Sequence, residues 1–217
     1  MKPITILACD PSFTAWGYAV LRNKDILEHG CIKTKTEGKK RRIRKSDETS
    51  QRISELVNRL KDVIEMHGVN YIVSEAPHGS QSAVAAVMMG AVVGLLQSMA
   101  ICLDIPIEWY SEGDAKKAVL GKISASKEEM IKAINKRYDV EWTKVGYRNE
   151  AVADALAIHY VACQQSPTIK FLLDEKKVSG RAAIGLVTAG MLIKGALKKE
   201  AEKLIDQSCN KMIRRRK

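Results

Sequence analysis

Aromatic side chains are scarce in this chain. They make up 5% of its 217 residues, with 2 Phe and 3 Trp, so its core must be aliphatic. Cysteine offers no framework either. The five, Cys9, Cys31, Cys102, Cys163 and Cys209, are odd in number, scattered and never spaced as CxxC. That excludes a disulfide scaffold or a cysteine zinc site and fits reduced packing thiols. Long apolar runs at the termini are lacking as well. The N-terminal run is short and broken by Asp10, unlike a secretory leader, and residues 182–193 fall well below a bilayer span. A soluble cytoplasmic protein is expected. No Ser or Cys has a histidine set beside it by the sequence, so nucleophilic catalysis has no support, and His78 and His159 read as surface or packing residues.

What is present is positive charge. The net charge of +11 favours a polyanionic partner over an acidic small molecule. It is unevenly spread. Residues 1–163 hold 23 lysines and arginines against 20 acids, and residues 164–217 hold 13 against 5. The expected organisation is a domain over 1–163 followed by a basic helical extension over 164–217. That extension is either a packed helix with a solvated tail or an accessory element docking DNA or another partner.

Residues 4–10 read as a buried strand that rises to Asp10 and stops at the turn Pro11-Ser12. Runs at 16–21 and 26–34, joined by a short turn, read as its antiparallel neighbours. Lys39, Lys40, Arg41, Arg42, Arg44 and Lys45 then supply six basic residues in seven. They form either a solvated loop or a loop that touches phosphates. Ile53, Leu56, Val57, Leu60, Val63 and Ile64 recur at helical spacing over 46–67, with Gly68 as the stop. A second buried strand over 71–79 carries Glu75 near its end.

Residues 80–103 are apolar nearly all round. Such a helix needs cover on most faces, from the fold or from a second subunit. A strand at 105–110 and a helix at 111–120 follow. Ser126 with Glu129 marks a capping box opening a helix that reaches about 138. Residues 149–162 form a strongly apolar helix interrupted by Glu150, Asp154 and His159. Glu150 and Asp154 are four apart and share a face. No lysine or arginine occurs between Arg148 and Lys170, so a cation held among acids explains this pair better than a local ion pair.

Asp10 and Glu75 at strand ends, with Glu150 and Asp154 on a buried helix, make four carboxylates that one cleft can gather. They cannot all ionise there without divalent cations. Oxygen donors suit Mg²⁺, with Mn²⁺ able to substitute, and two ions per site suit phosphodiester hydrolysis.

The order of elements matches an α/β ribonuclease H-like fold: a mixed five-stranded sheet, three strands antiparallel and then two parallel, flanked by helices. Over residues 5–162 the chain resembles the RuvC-type Holliday junction resolvases. Asp10-Pro11 with Gly17-Tyr18 looks like the family's first-strand motif, and Ser74-Glu75 like its second acidic position. Lys116-Lys117-Ala118-Val119, Gly121 and Ala125-Ser126-Lys127 keep its spacing, and Asp154-Ala155-Leu156-Ala157 looks like its last acidic motif. The resemblance implies a homodimeric, Mg²⁺-dependent endonuclease nicking four-way DNA junctions symmetrically and leaving 5′-phosphates. It implies metal ligands at Asp10, Glu75 and Asp154, with Lys116 and Lys127 at the scissile backbone and Lys117 beside them.

Three positions depart from the family pattern. An acid or histidine is usual three residues before the last aspartate, where this chain has Ala151, and Glu150 is the expected substitute. Ser12 stands where the family has glycine. His78 stands where an aromatic often stacks on an unpaired base. These departures resemble divergent phage or viral members, which places the protein in a bacterial or host cell. The alternatives are a same-fold nuclease for flaps, other branched DNA or RNA, and a junction-binding protein without catalysis. An actin-like or sugar-kinase ATPase shares the strand order but needs a second lobe and phosphate loop.

Overall fold

The computed structural model describes residues 3–34, 44–76, 79 and 82–173. Three antiparallel strands open it, β1 (Thr5–Asp10), β2 (Ala15–Arg22) and β3 (Asp25–Lys33). Helix α1 (Lys45–His67) leads to β4 (Tyr71–Ala76), and α2 (Ala83–Cys102) leads to β5 (Ile107–Ser111). Helices α3 (Glu112–Leu120), α4 (Lys127–Asn135), α5 (Gly146–Gln165) and α6 (Pro167–Leu173) complete the chain described. The strands lie in the order β3-β2-β1-β4-β5, with β4 and β5 parallel to β1. This is the expected ribonuclease H-like sheet.

Alternation along the strands sorts side chains into two cores, because successive residues point to opposite faces. Leu7 and Cys9 join Trp16, Leu56, Leu60 and Leu96 under α1 and α2. Ile6, Ala8, Tyr71 and Val73 join Leu156, Ile158 and Ile134 under α3, α4 and α5. Burial on both faces explains why β1 reads as a continuous apolar run rather than an alternating one. Each fully buried Leu or Ile in these layers contributes about 1.5–3 kcal/mol.

Local signals held where they were short-range. Gly68 ends α1 at φ 60, the left-handed region that glycine enters at no cost. Ser126 and Glu129 close the capping box of α4. Helix α5 starts at Gly146, earlier than expected. Pro167 opens α6, as suits a residue with no amide hydrogen to leave unpaired. Ile169 of α6 is fully buried, and Ser166 Oγ donates to Glu108 Oε1 at 2.8 Å. The compact unit therefore runs to Leu173, past the boundary expected at 163. Residues 174–217, the greater part of the expected basic extension, lie outside the described residues.

Helix α2 is apolar nearly all round, and among the described residues of one copy its buried positions are Val92, Leu96 and Ala100. Val84, Val87 and Ile101 are 56%, 65% and 67% exposed. The fold of the described residues covers one stripe, which leaves open the cover expected from a second subunit. By length and composition α2 also matches a membrane span, although that stripe packs in the same core as Leu7 and Trp16.

Candidate active site at the carboxyl ends of the strands

Parity places the acids. Asp10 shares its side of β1 with Ile6 and Ala8, and Glu75 shares its side of β4 with Tyr71 and Val73. The parallel register sets Ile6 beside Tyr71 and Ala8 beside Val73, so Asp10 and Glu75 follow on the same face at adjacent strand ends. That face is covered by α5, which carries Asp154. Gly17 lies opposite Asp10 on β2, and it admits α5: a Cβ there would meet the Ala151 carbonyl oxygen at 2.1 Å. The close approach brings Asp154 down onto the strand ends.

The turn after Asp10 is tied in place. Ser12 Oγ accepts from the amides of Thr14 and Ala15, each at 3.4 Å, which gives the departure from glycine a structural role. Arg52 of α1 donates to the Phe13 carbonyl at 3.1 Å and to Thr34 Oγ1 at 2.8 Å, and stacks on the Phe13 ring at 4.1 Å.

The three acids feel one another. Burial, then the charge of Asp154, lifts Asp10 to about 7, against the pull of Lys127. Burial, then Asp10 and Asp154, lifts Glu75 to about 8. Asp154 rises to about 6, mainly through burial, with Lys127 opposing. Burial is the largest cause in each case, and the nearby charges of Lys127 and Lys116 offset it only in part.

Glu150 stands differently. Its Oε2 lies 2.8 Å from Lys127 Nζ, so a partner distant in sequence neutralises it. The argument from missing basic residues after Arg148 is corrected here, since α4 supplies the cation. Glu150 sits at the rim, where its charge still reaches Asp154. Ala151 is buried, facing Gly17.

Sequence reasoning missed Glu112. It follows β5, whose Tyr110 pairs with Glu75, and its charge raises Asp10, Glu75 and Asp154 alike. Its carboxylate holds Lys116 Nζ at 2.5 Å. A strand ending followed by an acid four residues before a lysine was the available signal.

Among the other expected residues, Lys117 is exposed on α3. Arg44 is engaged with Asp47 at 2.8 Å, and Lys45 lines an apolar hollow with Val84 and Val87. Lys39, Lys40, Arg41, Arg42 and His78 lie outside the described residues.

Among the described residues, no three His, Cys, Asp or Glu side chains have the mutual geometry to hold a metal ion as they stand. The donor chemistry nonetheless fits one. Asp10, Glu75 and Asp154 are hard oxygen donors from three elements, each short of positive charge.

The strand order and flanking helices define a fold of the ribonuclease H-like class. Residues 6–162 match the family model "Crossover junction endodeoxyribonuclease RuvC", and the chain belongs to that family. A crossover junction endodeoxyribonuclease RuvC from Chlamydia caviae is 27% identical over 153 residues, covering 70% of this chain and 88% of that protein. Its counterpart from Rhodopirellula baltica is 28% identical over 167 residues, covering 72% and 86%. Two solved structures share the fold. Thermus thermophilus RuvC in complex with a Holliday junction substrate has TM-score 0.61 at 18% identity, covering 74% of this chain and 96% of that one. The yeast mitochondrial Holliday junction resolvase Ydc2 has TM-score 0.57 at 12% identity, covering 79% and 82%.

Proposed function

We propose that this endonuclease resolves four-way DNA junctions by paired, symmetric nicks that depend on a divalent cation, Mg²⁺ or Mn²⁺. The observation that carries the reading is the convergence of Asp10, Glu75 and Asp154 from β1, β4 and α5, each raised by burial and two of them also by the others' charge. Asp10, Glu75 and Asp154 hold the cation, or two cations, and Glu150 supports them from the rim through Lys127. When bound, the metal supplies activation of water and Lewis-acid polarisation of the phosphodiester. Lys116, held by Glu112, and Lys127, held by Glu150, carry positive charge to the edge of the acid cluster, where a DNA backbone is neutralised. The cut leaves 5′-phosphate and 3′-hydroxyl ends.

A second copy of the chain seated on the exposed apolar side of α2 makes a twofold dimer with two sites on opposed strands. Residues 39–45 and the basic extension add backbone contacts or a further partner, His78 stacks at the junction, and the protein works in the cytoplasm. The test is incubation of a labelled four-way junction with purified protein and Mg²⁺ or Mn²⁺, in competition with flap, duplex and RNA–DNA hybrid. Paired nicks in the junction, lost in Asp10→Asn while binding persists, are expected. Preferential cutting of flaps or hybrids overturns the junction reading, and binding without any cutting overturns catalysis.

A further inference from the structure

Lys33, Tyr147 and Arg148 form a compact group on the β3 side of the sheet, whereas Lys116 stands on α3 beyond β5 at the other side. Lys33 ends β3, and its Nζ lies 4.6 Å above the Tyr147 ring. Arg148 Nε donates to Tyr147 Oη at 3.4 Å. The three side chains lie at the surface, and Tyr147 is 36% exposed. A hollow of about 200 Å³ adjoins Arg148, lined also by Cys31, Glu141, Thr143 and Asn149.

Register shows where this group stands relative to the chemistry. Ala15 pairs with Lys33 and Gly17 with Cys31, while Gly17 also pairs with Asp10. Lys33 therefore points to the α5 face, as Gly17 does, at the same end of the sheet as Asp10. β3 is two strands from β1, a distance of roughly 10 Å. Lysine and arginine flanking an exposed aromatic ring combine backbone neutralisation with a stacking surface, which is the chemistry single-stranded or frayed DNA presents.

We propose that Lys33, Tyr147 and Arg148 clamp the DNA strand that leaves the acid cluster over β3, with the two cations on its phosphates and the tyrosine ring against a base or sugar. The inference rests on the reading of this protein as a junction nuclease and deepens it. The nucleic acid then crosses the end of the sheet from the Lys116 side to the Lys33 side, over the acids.

Junction affinity measured by fluorescence anisotropy across a salt series tests it, with full-length Asp10→Asn as the parent to prevent cutting. Lys33→Ala and Arg148→Ala are each expected to weaken binding roughly fivefold and to lower the salt slope by about one counterion. Tyr147→Ala is expected to weaken binding, and Tyr147→Phe to restore it. Circular dichroism of each variant separates lost contacts from lost fold. A folded Lys33→Ala/Arg148→Ala double variant with the parent's affinity and salt slope overturns the clamp while leaving the junction reading intact. Equal losses on junction and duplex, in a parent with no junction preference, sustain the clamp and overturn that reading. A parent that binds no DNA overturns both.

Discussion

Lys127 Nζ and Glu150 Oε2 meet at 2.8 Å, joining the first residue of α4 to the first turns of α5 beside the acid cluster. The contact holds the Lys127 ammonium pKa above its ordinary value, chiefly through the hydrogen bond it donates to Glu150, with the charges of Asp154, Glu150 and Asp10 assisting. In the proposed function Glu150 acts through Lys127. In single-turnover cleavage at saturating Mg²⁺, Glu150→Gln is expected to cost about 10–100-fold, as outer ligand supports do. Asp154→Asn is expected to cost clearly more. Equal losses would make Glu150 a direct ligand.

Metal binding has a readout independent of cutting. Buried acids whose charge is offset only in part penalise the folded state, and a cation that binds only that state offsets the penalty. At a hundredfold excess over its dissociation constant, Mg²⁺ or Mn²⁺ is expected to raise the melting temperature by roughly 5–10 °C, reversibly with EDTA. Asp10→Asn should lose most of that rise. An identical rise in the variant would place the ion elsewhere.

The uncovered side of α2 predicts an oligomer. Val87→Lys and Ile101→Glu put charge on exposed positions that contribute little within the chain. Sedimentation should show the protein moving from dimer to monomer with its melting curve nearly unchanged. Junction cutting should then fall from paired to single nicks. A dimer that survives both substitutions rules out this surface.

His159 sets an acid limit on stability. It is 1% exposed, its Nδ1 lies 2.8 Å from Tyr138 Oη, and burial lowers its pKa to about 4 from the usual 6.5. The unfolded chain binds this proton more readily than the folded one. The contribution is therefore complete above pH 6.5 and is lost as pH falls toward 4, amounting to about 3 kcal/mol. Urea midpoints between pH 7 and 4 should fall less steeply in His159→Asn. Parallel curves would show that His159 does not titrate in this way.

Legibility followed the range of each interaction. Gly68, Ser126 with Glu129, and the strand ends at Asp10 and Glu75 depend on neighbours a few residues away, and the sequence displays those directly. Strand parity then brings Asp10, Glu75 and α5 to one face without further information. The Lys127–Glu150 pair joins residues far apart in the chain, and only the packing of α4 against α5 reveals it. Glu112 was hidden because an acid in the first turn of a helix has a routine reason to be there. In α2 the difficulty was uniformity, since a helix apolar on every side has no stripe to say which side the fold uses.

Gly17 and Ala151 touch with almost nothing between them but peptide groups. Where helix and sheet are spaced by long side chains, a rotamer change can absorb small movements. At Gly17, opposite Asp10, no such cushion stands between the strand and the helix bearing Asp154. The gap between those two acids is consequently gauged by main chain on main chain, and drift in the surrounding core is poorly transmitted to it.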